Sequence, residues 1–239
     1  MTNRDEKLAR ARGYPYPYPG RSYTWRNGEV TEFDPPTREG RTAVLAVGSN
    51  RAPVRLGQKF LGKTDAAIPV QQARLRKFDI VYAAHLTRYG SVPAMLQWAP
   101  CTTVDLAVTW LDETQLEIMH ATEGGYHYAE IDSVELVYDD GTRTDSVHLY
   151  VGREGHLVYQ DQPVALIEID GINRPHTARN TAEVLEIVHK RVAADMPHDE
   201  FILRVIDDVG FRRECSIALA EDSVPFDYPY TKKPGGLVD

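Results

Sequence analysis

Two apolar periods divide this chain, and their separation along it limits the fold more than any other feature. Between Ala43 and Val151 apolar residues recur at every second position, the period of half-buried strands. Ala43–Val47 forms a short continuous run, and Phe78, Ile80, Tyr82, Ala84 and Leu86 alternate with more polar positions. Val104, Leu106, Val108 and Trp110 repeat the pattern, as do Val134, Leu136 and Tyr138. Asp140-Gly141 is a turn pair and predicts a hairpin leading into Val147, Leu149 and Val151. Helical spacing comes later. Asn180 and Glu183 stand as a capping-box pair before the stripe Val184, Leu185, Val188, Val192. A second stripe, Phe201, Ile202, Val205, Ile206, Val209, is closed by Gly210. Strands followed by helices predict an α+β fold with an antiparallel-rich sheet or barrel instead of alternating βαβ units.

At 239 residues the chain can enclose one main core with decorated ends. Residues 42–210 read as the core domain, 1–41 as a Tyr/Pro-rich N-terminal extension and 211–239 as a C-terminal extension. In the first, Tyr14-Pro-Tyr-Pro-Tyr-Pro-Gly and Asp34-Pro-Pro alternate rings with prolines, which predicts an extended path and no helix. Pro225-Phe-Asp-Tyr-Pro-Tyr echoes it near the other end. Such rings wrap over a core, or they form a lid or a homodimer contact. A formal net charge of −8 disfavours a nucleic-acid partner, whose affinity comes largely from neutralising phosphates. The absence of a long apolar run or a secretory start leads us to expect no membrane partner and a cytoplasmic location. Cys101 and Cys215 form no metal-binding spacing and read as structural thiols, with a disulfide as the alternative.

The segment from Leu111 to Gly125 places a helix almost residue by residue. Asp112 suits the N-cap with Gln115 reaching back, Leu111 and Leu116 suit a hydrophobic staple, and Gly124-Gly125 suits the end. With Leu116 inward, Met119, His120 and Glu123 share its face, whereas Glu113 and Glu117 do not. Glu123 is therefore an acid closing an apolar stripe. Two readings stand: a functional carboxylate facing a cavity, or a structural acid that reaches water or an arginine at the last turn.

A strand ending in Gly48-Ser49-Asn50 is followed by a strand ending in Leu111-Asp112 and a helix ending in Glu123-Gly124. Tyr128 with Ile131, Asp140-Gly141 and Tyr150-Val151 come next. This ordered set, from about Ala43 to Asp208, resembles the γ-glutamylcyclotransferase-like family, of which the chain would be a divergent member. The resemblance implies a small, mixed, mostly antiparallel β-barrel with flanking helices. It implies Glu123 as catalytic general acid-base, and a substrate-binding loop at Val47, Gly48, Ser49, Asn50 and Arg51 with Tyr128 lining the pocket. The implied reaction is cleavage of a small γ-glutamyl-like or other carboxylated amide, by intramolecular cyclotransfer or by hydrolysis, with no metal and no organic cofactor. The family's tyrosine before Gly-Ser-Asn is Val47 here and its following leucine is Arg51, which alters the pocket's chemistry. Arg51 either turns inward as a fork for a carboxylate or phosphate or faces solvent. Tyr128 is equally readable as core packing. The alternative function is a non-catalytic small-molecule-binding or assembly protein that keeps the barrel. Ser49 lacks the second glycine of a nucleophile elbow, and His120 and His127 lack metal-ligand spacing.

Overall fold

The computed structural model describes residues 2–65 and 67–235. Its centre is a pair of long antiparallel strands, β4 (Ile68–Tyr82) and β5 (Ala94–Leu111). A register shift between Arg76 and Phe78, with Lys77 at φ 68°, bends the pair at a bulge. β3 (Thr42–Ala46) pairs antiparallel with β5 and parallel with β9 (Val147–Gly152), and β9 pairs antiparallel with β6 (Tyr126–Ile131). The N-terminal hairpin of β1 (Tyr23–Arg26) and β2 (Glu29–Glu32) adds to β4 through Tyr23 opposite Val70 and Trp25 opposite Ile68.

The turn at Asp140-Gly141 forms, but it joins β7 (Leu136–Tyr138) to the two-residue β8 (Arg143–Thr144). The next strand, β9, pairs with β6 and β3 instead of returning to β7. Nor does the sheet close into the expected barrel. Its path runs from Ala178–Arg179 through Ala165–Leu166, β4, β5, β3, β9 and β6 to Thr231–Lys232. Closure would require β6 to reach the outer edge of β4. That edge is occupied in turn by β1, β7 and Ala165, while Thr231–Lys232 covers β6. The architecture is an open mixed sheet with six α-helices among the described residues.

Alternation along the strands divides the interior into two cores, because successive side chains point to opposite faces. Val44 and Ala46 of β3 join Tyr23, Trp25, Leu56, Phe60 and Met119 on one face. Leu45 and Val47 join the larger core on the other. The smaller core is covered by α2 (Pro53–Phe60) and α3 (Glu113–His120). The larger is covered by α4 (Thr181–Val192), α5 (His198–Asp207) and α6 (Val209–Ala220), which contribute Val184, Leu185, Phe201, Val205 and Leu219. Gly210 does not end a helix. Asp208 accepts from the Phe211 N–H at 3.0 Å and starts α6, placing Gly210 in its first turn.

The N-terminal segment also departs from an extended path. α1 (Asn3–Arg12) begins with a reciprocal cap between Thr2 and Asp5 and buries Leu8 and Ala11. The aromatic ends pack within the chain. Tyr14 is buried, and Tyr228 stacks on Trp98 with ring centroids 4.9 Å apart and meets Phe78 edge-on. Cys101 is exposed and Cys215 is buried in the larger core, and both are free thiols. No helix among the described residues is long and apolar enough to cross a membrane.

Candidate functional site

β3 ends at Ala46, and the chain then tightens into a 3-10 turn, Ser49–Arg51, before α2 begins at Pro53. The first N–H groups of such a turn have no partner within it. This turn forms one wall of a cavity of about 610 Å³, to which Val47, Gly48, Ser49 and Asn50 all contribute. A side chain at Gly48 is impossible without rearrangement, because a Cβ there would collide with the Tyr14 hydroxyl. That hydroxyl, itself buried, accepts from the Ala94 N–H at 2.9 Å. Tyr14 thus brings a phenol from the N-terminal segment to the cavity, beside the turn that Val47 leaves without one.

The opposite wall comes from the residues after α3. The helix starts as its sequence indicates, with Asp112 Oδ1 accepting from the Gln115 N–H at 2.8 Å and Gln115 Oε1 accepting from the Asp112 N–H at 3.2 Å. Its buried face is Gln115 and Met119, with Leu116 only partly covered. The α-helix stops at His120, three residues short of Glu123, and neither Gly124 nor Gly125 has a positive φ. Turns replace the expected glycine cap: Glu123 N–H donates to His120 C=O at 3.1 Å, and Tyr126 N–H to Glu123 C=O at 3.0 Å. Gly125 serves close approach, since a Cβ there would stand 3.0 Å from His85 Nε2.

Glu123 lines the cavity with its side chain 12% exposed. Its Oε1 accepts from Asn50 Nδ2 at 3.2 Å, which ties the two walls together. The same oxygen is ion-paired with Lys59 Nζ. Lys59 is 1% exposed, with Met119 Sδ 3.0 Å from its ammonium. Burial pulls Lys59 down from 10.5 to about 8, against the opposing pull of Glu123. Burial likewise lowers His85 to about 4, so its ring is neutral near pH 7. Tyr126 donates to Ala94 C=O at 3.1 Å, and Tyr150 shares a 2.8 Å hydrogen bond with His120 Nδ1. Both tyrosines line the cavity.

Two expected binding residues lie elsewhere. Arg51 is buried but does not line the cavity: its Nη2 donates to Glu168 C=O at 2.9 Å, and its guanidinium lies 3.8 Å from the centre of the Tyr18 ring. Burial is the first cause of the lowered Arg51 pKa. Through Nη2 the side chain ties the turn to a neighbouring segment; it faces neither solvent nor this cavity, and its Nε and Nη1 are buried without a hydrogen-bond partner. Tyr128 belongs to the smaller core, stacked on His148 at 5.2 Å and edge-on to His120 at 4.6 Å. The residues that sequence reasoning passed over are Tyr14, Arg55, Lys59 and His85. Lys59 left a signal: it adjoins Phe60 and follows Leu56 by three positions, a lysine on the apolar face of α2. Tyr14 left none, because its contact with Gly48 spans most of the N-terminal segment.

No family model matches this chain, and no curated protein matches it. Solved structures do. A γ-glutamyl cyclotransferase aligns at 13% identity and a TM-score of 0.37, over 81% of this chain and 94% of its own. An uncharacterized protein from Homo sapiens aligns at 14% identity and a TM-score of 0.38, over 82% and 95%. A protein from Arabidopsis thaliana aligns at 20% identity and a TM-score of 0.37, over 48% and 70%. Each of these is a similarity at 13–20% identity.

Proposed function

We propose that this protein cleaves a small carboxylated amide of γ-glutamyl type, with Glu123 as general acid-base. The observation that carries this reading is the hydrogen bond from Asn50 to Glu123, which sets the carboxylate against the Gly48–Asn50 turn in one cavity. A substrate carboxylate or a developing oxyanion would lie over the turn's backbone N–H groups. In the cyclotransfer reaction the substrate's α-amine attacks its own γ-carbonyl carbon. A C–N bond forms, Glu123 takes the proton from the attacking nitrogen, and the tetrahedral intermediate collapses. The amide C–N bond breaks as the same proton passes to the departing amine, leaving 5-oxoproline. Hydrolysis would use the same carboxylate with water as nucleophile.

One feature favours a second reading, a binding protein without turnover. The Lys59 ion pair already engages one of the two Glu123 carboxylate oxygens, Oε1. The two readings separate on Glu123→Gln, which keeps size and hydrogen bonding and deletes the titrating group. Release of amine from a panel of γ-glutamyl and related amides should fall about a hundredfold or more, with the fold intact. Equal turnover by both proteins would remove the catalytic role, and binding without turnover in the wild type would establish the second reading.

A further inference from the structure

Four arginines line the cavity, Arg55, Arg88, Arg212 and Arg213, and none is in an ion pair among the described residues. Arg212 is committed to the fold, since its Nη1 donates to Val205 C=O at 2.6 Å and Ile206 C=O at 3.3 Å at the end of α5. The other three are not. Arg55 is only 6% exposed, and its one side-chain hydrogen bond among the described residues is from Nη1 to Gln58 Oε1 at 3.1 Å. Its Nε is buried without a partner, and its guanidinium lies 5.3 Å from the centre of the Tyr89 ring. A buried guanidinium without a carboxylate is costly unless something else supplies the negative charge. Arg88 and Arg213 are exposed and stand on different walls, one on the loop after β4 and one on α6.

The opposing charges are few. Glu123 and Glu154 are the acids lining the cavity, and Glu123 is held by Lys59. Four arginines and Lys59 against two glutamates leave a formal +3, within a chain whose net charge is −8. Attraction this local selects by charge at short range. A monocarboxylate can be satisfied by one guanidinium fork, whereas a phosphate-type group has the oxygens and charge to engage more than one.

We propose that Arg55, Arg88 and Arg213, which line this one cavity, form a binding site for a dianionic, phosphate-type group, carried by the substrate or present as a free anion. The site shares a cavity with the proposed reaction but does not depend on turnover. Calorimetric titration of inorganic phosphate into the full chain at constant ionic strength, with acetate as the monoanion control, tests it directly. Phosphate should bind about tenfold or more tighter than acetate, and Arg55→Gln should weaken it by a similar factor, the scale of one lost charge-assisted hydrogen bond. Should Arg55→Gln fail to fold, the exposed pair Arg88→Gln with Arg213→Gln carries the same expectation. Glu123→Gln should retain phosphate binding, so that loss of the catalytic reading and loss of the anion site are separate results. Competition between phosphate and a phosphorylated amide would place the group on the substrate, and simultaneous binding would make it a free effector. Equal affinity for phosphate and acetate, or affinity unchanged in both arginine variants, would overturn the proposal.

Discussion

Lys59 sets the electrostatics around Glu123, and its burial has a pH signature. Because the folded state holds the lysine's proton less tightly than the unfolded chain does, the unfolded chain binds more protons between about 8 and 10.5. Unfolding free energy should therefore rise with pH across that window, by up to about 1.4 kcal/mol for each unit separating the two pKa values. Denaturant titrations through the window, compared with Lys59→Met, should show the rise in the wild type alone. Near neutral pH, Lys59→Met should itself cost about 3 kcal/mol by stranding Glu123, and the double variant with Glu123→Gln should recover most of it. Additive losses would mean that the two side chains are not coupled. At this scale the sequence was partly legible. Glu123 could be singled out because an acid ends an apolar stripe, whereas Arg51 and Tyr128 stayed open between alternatives because strand and turn patterns do not say which wall a long side chain joins.

The secondary-structure elements follow local chemistry where caps are explicit. The reciprocal caps of α3 and α4 appear where Asp112, Gln115, Asn180 and Glu183 put them. The misses have identifiable causes. α1 was hidden by the proline run that follows it, although Thr2 and Asp5 mark its start. α6 was hidden because Gly210 resembles a stop, while Asp208 supplies the N-cap that overrides it. Asp208→Ala should destabilise the protein by about 1 kcal/mol, chiefly by loosening the first turn of α6. Hydrogen exchange at the amides of Arg212 and Arg213 should accelerate more than exchange in α4. Uniform acceleration across both helices would argue against a local cap effect.

At the scale of the whole molecule, the N-terminal segment is structural. Leu8, Ala11 and Tyr14 are buried in the larger core, the Tyr14 C=O accepts from the Thr181 hydroxyl at 2.9 Å, and the Tyr14 hydroxyl forms part of the cavity. Removing residues 2–18 should lower stability by about 1.5–3 kcal/mol for each large side chain lost from the core, seen as a drop in Tm. It should also expose the Gly48 wall to solvent. An unchanged Tm would show that the segment only rests on the surface. The sequence by itself determined the α+β class, the central run of strands, the two capped helices α3 and α4, and an acid set apart at Glu123, because these depend on periodicity and on contacts within a few residues. Tertiary structure decided that the sheet stays open, since β4's outer edge takes β1, β7 and Ala165 in turn. It also decided that Tyr14, Lys59 and the arginines meet Glu123 and the Gly48 turn around one cavity, because those approaches join segments far apart in the chain and leave no local period to read.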